Sequence, residues 1–312
     1  MSRGENEELQ GDVADAMATL SDNAIDAPCE IPADAKQTPE HAPNRLPDFA
    51  TTAPPELRAQ WSEPDSSDVP VRGESYMDDQ VKVPAGHSVA SLVHFDLWTT
   101  KTPEARHHIA RFDLEREKSV IRSCAQQYPH ALVFVLNIEL PASDNMSLVS
   151  YWLVPNYRVE DDEDEDDVHG DQTTFYRLLR RFCDADDGEN AFRDARFKLI
   201  PSFTQAPWIL NQLVQSRPAL TGKKLTQRYF RGDNYMEVDL DVSSSTVAHY
   251  IGSLCQSWAT YIEVDVFITV QGETEDELPE KILGGVRLTY LDLTLAQPID
   301  GGDTTEEEED TE

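Results

Sequence analysis

Leu225-Thr226-Gln227-Arg228-Tyr229-Phe230, then Arg231 and the triplet Gly232-Asp233-Asn234, then Tyr235-Met236-Glu237-Val238-Asp239-Leu240-Asp241-Val242, is the stretch that decides the fold class. Two β-prone runs flank three residues that tolerate positive φ, so a β-hairpin is predicted. Downstream, 261–270 alternates strictly. Ile262, Val264, Val266, Ile268 and Val270 take one face; Tyr261, Glu263, Asp265, Phe267 and Thr269 take the other. Residues 285–295 read as a final strand. Upstream, 131–140 and 147–154 read as two apolar strands joined by the turn-like Pro141-Ala142-Ser143-Asp144-Asn145.

Helices are fewer. Ser243-Ser244-Ser245 offers N-caps for a helix whose Val247, Ile251, Leu254, Cys255 and Trp258 fall on one stripe. Thr102-Pro103 opens another that runs towards Leu114, Ile121 and Cys124, and 173–182 is a third. Pro279 and Gly284 bracket a short helical turn. Strands outnumber helices without alternating regularly with them, which disfavours a parallel doubly wound sheet. The expected class is α+β, a mostly antiparallel curved sheet with a few packed helices.

Around that body the chain is acidic. Of 312 residues, 59 are Asp or Glu and 26 are Lys or Arg, a formal net charge of −33, so a protein that grips nucleic acid or anionic membrane with its whole surface is excluded, while a local basic patch is not. Segments 1–67, 160–171 and 300–312 carry −10, −9 and −8 of that charge. They hold too little large apolar surface to offset their ordering entropy, so disorder is expected there. The organisation is thus a disordered acidic region 1–67, a domain 68–298 with an acidic loop 160–171, and an acidic tail 299–312. Four scattered cysteines (Cys29, Cys124, Cys183, Cys255) form neither a disulfide framework nor a metal motif, and read as reduced thiols of a cytoplasmic protein. No signal peptide, lipidation box or membrane-spanning run is expected.

Motifs for chemistry are sparse. Gly222-Lys223-Lys224 lacks the upstream glycine and the following Ser or Thr of a phosphate loop. His107 and His108 are adjacent, so on a helix they diverge by about 100° and chelate poorly. Glu237, Asp239 and Asp241 share a face of one strand and Glu263 and Asp265 of another. They suit a hard cation or an acid–base pair for glycoside hydrolysis, or simply a sheet face paired with Arg228, Arg231 and Arg287. The simple pairing is preferred; no catalytic residue, cofactor or metal site is assigned.

One region is basic. Residues 177–231 hold eleven Lys or Arg, among them Lys223, Lys224, Arg228 and Arg231, against five acids. Such cations suit phosphate head groups, and equally suit internal pairing with the carboxylates.

The runs Phe197-Lys198-Leu199-Ile200-Pro201, Ala206-Pro207-Trp208-Ile209 and Arg217 through Asp239, with Ser244-Ser245, Glu277-Leu278-Pro279-Glu280, Arg287-Leu288 and Val71-Arg72-Gly73-Glu74-Ser75-Tyr76, resemble a catalogued domain. It is the C-terminal domain family of the plant protein Enhanced Disease Resistance 2, a domain of unknown function. The likeness spans about 68–295 and is most specific over 197–241. In the plant proteins this domain follows a phosphoinositide-binding pleckstrin-homology domain and a lipid-binding START domain. Neither of those is expected in this sequence, Ala206 replaces the family's usual Gly, and the 160–171 insert is unusually acidic. The resemblance implies lipid signalling and brings no catalytic set. The expectation is a non-enzymatic lipid-associated module, cytoplasmic or peripheral to a membrane. Lys223, Lys224, Arg228 and Arg231 would meet an anionic head group. The alternative is a scaffold whose acidic segments recruit basic proteins.

Overall fold

The alternation at 261–270 and the hairpin at 225–242 both form strands, but in different sheets. A computed structural model of the chain describes residues 54–141, 144–158, 170–214 and 218–299. The strands are β1 Trp61–Ser62, β2 Pro70–Arg72, β3 Lys82–Pro84, β4 Ser91–Thr100, β5 Leu132–Glu139, β6 Met146–Val154, β7 Phe197–Gln205, β8 Ala219–Leu220, β9 Thr226–Arg231, β10 Tyr235–Asp241, β11 Glu263–Val270, β12 Gly284–Thr289 and β13 Gln297–Ile299. The helices are α1 Pro55–Arg58, α2 Tyr76–Asp79, α3 Ala110–Glu115, α4 Val120–Gln127, α5 Gly170–Asp184, α6 Asn190–Arg196, α7 Trp208–Val214 and α8 Thr246–Ser257.

The class is α+β with mostly antiparallel sheets, as the sequence suggests. A six-stranded sheet has the order β13-β4-β6-β5-β10-β9 and a five-stranded sheet the order β1-β12-β11-β7-β8, with β2–β3 as a separate hairpin. Two pairings are parallel, β10 with β5 and β13 with β4. The two large sheets share one core. Phe95, Phe134, Trp152, Met236 and Val238 from the first meet Val264, Val266, Ile268 and Val286 from the second, and α5 adds Phe175, Leu179 and Phe182. Burial of this kind is the main favourable contribution to folding. The second face of β11 is covered too, since Phe267 packs with Val71, Ala85, Ile200 and Ile282.

Several expectations change. Order begins before residue 68: α1 buries Leu57, and β1 pairs with β12 through Trp61 and Leu288. A few large apolar residues in a polar stretch suffice to dock it. Ile299 pairs with Thr100, one residue beyond the expected domain end. Residues 1–53, 160–169 and 300–312 of the expected disorder lie outside the described residues, whereas Gly170 and Asp171 start α5. The helix expected from Thr102 is three pieces, interrupted by His108 at φ 58° and by the extended Arg116. Residues 279–283 carry no helical turn; a 3-10 turn lies earlier, at Glu275–Glu277. The strand expected over 285–295 stops at Thr289, where Tyr290 takes φ 51°, and the final strand is the short β13 beyond it. Between β9 and β10 no residue has positive φ. Gly232 fits there because the Tyr235 ring lies over it, 2.1 Å from where a Cβ would stand.

Candidate functional site

The basic segment is largely consumed inside the fold. Arg193 is buried and donates to the carbonyls of Phe182 (2.9 Å) and Cys183 (3.3 Å), which end α5. Arg196 pairs with Glu277 (3.2 Å), and buried Lys198 binds both oxygens of Glu280 (2.7 and 2.9 Å). Burial lowers the Lys198 ammonium and the Glu280 charge opposes that shift.

The four cations assigned to a head group do not converge. Strand periodicity sends Arg228 and Arg231 to opposite faces of β9. Arg228 lies 3.9 Å from Glu139 and 4.0 Å from Asp241. Arg231 pairs with Asp184 at 2.9 Å and donates to the Tyr235 carbonyl at 2.9 Å. Lys223 and Lys224 differ from both. They are exposed, and among the described residues no carboxylate pairs with either. Gly222 before them is set by a close approach, because a Cβ there would fall 2.4 Å from the Asp194 Cα. The turn is therefore pressed onto α6, and the two lysines emerge from it. The carbonyl of Thr221 accepts from the Lys224 and Leu225 amides (2.9 and 2.7 Å) and fixes their exit.

Beside these lysines lies an uncharged surface that the sequence reading did not single out. Residues 199–216 and 242–262 contain no Asp, Glu, Lys or Arg, in a chain that is 27% charged. They supply α7 and α8, which pack against each other. Ser245 caps α8 by accepting from the Ala248 amide (3.5 Å), as expected. The apolar stripe of α8 does not sink into the core, however; none of its residues is fully buried. Trp208 at the start of α7 is 70% exposed. The signal available in the sequence was the absence of charge, not any motif.

The carboxylates resolve into separate places. Asp265 binds Arg287 through two contacts (2.6 and 2.7 Å), and Glu263 accepts from Thr204 and Thr289 (2.6 and 3.1 Å), an ordinary paired sheet face. Glu237 and Asp239 sit in the other sheet, fully buried beneath the segment that carries α3. Glu237 accepts from the amides of Ile109 (2.6 Å) and Ala110 (2.9 Å); Asp239 accepts from the His108 amide (3.0 Å) and from Asn137 (3.1 Å). Burial pushes both carboxyls up, and a hydrogen bond joins them. Glu139 is buried beside them and forms no hydrogen bond. Its nearest basic groups are the His107 imidazole at 3.6 Å and the Arg106 and Arg228 guanidinium groups at 3.9 Å. Burial first, and then the Asp239 charge, lift Glu139 to about 7 against the pull of Arg106 and Arg228. His107 and His108 are both lowered, chiefly by burial, so they are neutral near pH 7. No group of three or more His, Cys, Asp or Glu among the described residues is placed to hold a metal ion. Cys124 and Cys183 are buried free thiols raised to about 12 by burial, which leaves them unreactive.

Comparison with known proteins agrees with the resemblance. The family described as Protein ENHANCED DISEASE RESISTANCE 2, C-terminal, matches residues 61–292. A Protein ENHANCED DISEASE RESISTANCE 2-like of Arabidopsis thaliana is 34% identical over 239 residues, 76% of this chain. The aligned region spans only 29% of that plant protein. No solved structure matches. No helix among the described residues is long and apolar enough to cross a membrane.

Proposed function

This chain belongs to the Enhanced Disease Resistance 2 C-terminal family, and from that premise we propose that it is a non-enzymatic, lipid-associated regulatory module that meets anionic lipid head groups. One observation carries the reading: among the described residues Lys223 and Lys224 stay exposed with no carboxylate partner, in a segment whose Arg196, Lys198 and Arg231 are engaged by carboxylates. Arg228 and Arg231 support the fold around that site instead of facing a ligand.

The test is flotation of the full chain with equimolar phosphatidylcholine–phosphatidylserine vesicles, with and without phosphoinositide. Each lysine contributes about 1 kcal/mol near such a surface, so reversing both (Lys223→Glu with Lys224→Glu) weakens binding by about thirtyfold or more. Raising the salt weakens the wild type as well. Thermal stability of the double variant stays within about 0.5 kcal/mol, as for other exposed substitutions. Unchanged vesicle binding together with lost stability would mean that the lysines serve the fold. A chain that ignores anionic vesicles at low salt would favour the scaffold reading.

A further inference from the structure

We propose that the α7–α8 face docks into the interfacial layer of an anionic membrane, with Trp208 as the inserted side chain; this rests on the lipid reading above. Three observations converge on one side of the domain. The first is apolar exposure. Trp208 is 70% exposed and Tyr261 45%, the two exposed large aromatics among the described residues. Gln205 and Glu263 are partners in the β7–β11 register, so Trp208, three residues past one, and Tyr261, two before the other, leave the five-stranded sheet at the same end. Trp258 braces Tyr261 edge-on at 5.9 Å.

The second observation is the missing charge. Segments 199–216 and 242–262 have no formal charge, and α8, within the second, keeps every residue short of full burial. A helix that must live in water normally places charges on its outer face. This one does not, and its pairing with α7 leaves an uncharged surface topped by a tryptophan.

The third is where cations appear. The Thr226 amide donates to Ser244 Oγ at 2.8 Å, which ties the residues just after Lys223-Lys224 to the approach to α8. From Ser245 the helix then runs for 12 residues, about 18 Å, towards Trp258 and Tyr261. Lysines thus border one end of the uncharged surface and aromatic rings the other. Tryptophan and tyrosine at head-group depth with lysines reaching phosphates is the distribution that membrane–water boundaries select. An anionic bilayer satisfies the apolar rings and the two cations together.

The experiment uses the full chain and equimolar phosphatidylcholine–phosphatidylserine vesicles, with and without phosphatidylcholine brominated along its acyl chains. Wild-type tryptophan emission should be quenched by the brominated lipid. Trp208→Phe should keep binding within about threefold and lose most of the quenching, and Trp208→Ala should bind about tenfold more weakly. Trp208 is mostly solvent-facing, so both variants fold. Vesicle binding without quenching, or quenching that persists in Trp208→Phe, would overturn this docking geometry and leave the lipid reading standing. Absence of vesicle binding would overturn both. A concentration-dependent dimer that Trp208→Ala dissolves would show that a second copy covers the face, and would overturn the proposal.

Discussion

Trp152→Ala should destabilise the domain by about 3–5 kcal/mol in urea or thermal unfolding. Trp152 lies on β6, fully buried in the core that the two large sheets share. Its indole N–H crosses to the other sheet and donates to the Gly285 carbonyl at 3.0 Å. The ring rests against Gly284, where a Cβ would stand 2.5 Å from it. Truncation therefore opens a ring-sized cavity between sheets that strand ladders prevent from collapsing, and leaves a buried carbonyl without its donor. Trp152→Phe keeps most of the packing and loses the hydrogen bond, so its cost should be smaller, about 1–3 kcal/mol. A cost below about 1 kcal/mol for the alanine variant would show that the sheets do not pack through this residue.

Glu139→Gln should stabilise the protein above neutral pH and flatten its stability profile between about pH 4.5 and 7. Glu139 is raised from 4.5 to about 7 by burial and by the Asp239 charge. The folded state consequently binds more protons than the unfolded state in that window. The stability this contributes is fully present below the unfolded pKa and is lost as pH rises through the folded value. Its size is on the order of 3 kcal/mol. Burial likewise raises Glu237 and Asp239, which deepens the fall in the same direction. At the acid end Asp96 works the other way. Burial pushes it up, but His94 and Arg116 more than offset this and hold it below its usual value, so its contribution disappears only at lower pH. The stability maximum should accordingly lie on the acid side of neutral, and thermal melts at half-unit pH steps would locate it. Glu139→Gln that is less stable at every pH would mean that the ionised carboxylate is firmly paired with Arg106 and Arg228, contrary to the 3.9 Å separations.

Local periodicity carried much of this fold into the sequence. The strict alternation at 261–270 and the runs at 131–140 and 147–154 became β11, β5 and β6 with small shifts at their ends. What local pattern cannot encode is who pairs with whom. β10 lies parallel to β5 and not beside β11, and this non-local choice separates Glu237 and Asp239 from Glu263 and Asp265. β4 escaped notice because His94 and Asp96 interrupt an apolar run. Both are buried, bonded to each other at 2.9 Å, and Asp96 is held by Arg116 from beyond α3. β7 contains Pro201, which argues against a central strand. Its partner β8 covers only Lys198 and Leu199, so at Pro201 the strand is an edge.

The site was legible only in part. Eleven basic residues in one segment say that cations are concentrated, not which ones the fold consumes. The carboxylates that claim Arg196 and Lys198 come from residues some eighty positions away, Glu277 and Glu280. Lys223 and Lys224 stand apart because the Gly222 turn, jammed against Asp194, turns them outward.

Hydrogen exchange of the full chain with and without anionic vesicles tests membrane docking most directly. The account predicts slowed exchange on vesicle addition in 208–214, 221–226 and 246–261, with the β2–β3 hairpin unchanged even though Val81 and Val83 are exposed there. Protection confined to that hairpin, or no change at α7, α8 and the lysine turn while the chain is vesicle-bound, would contradict it.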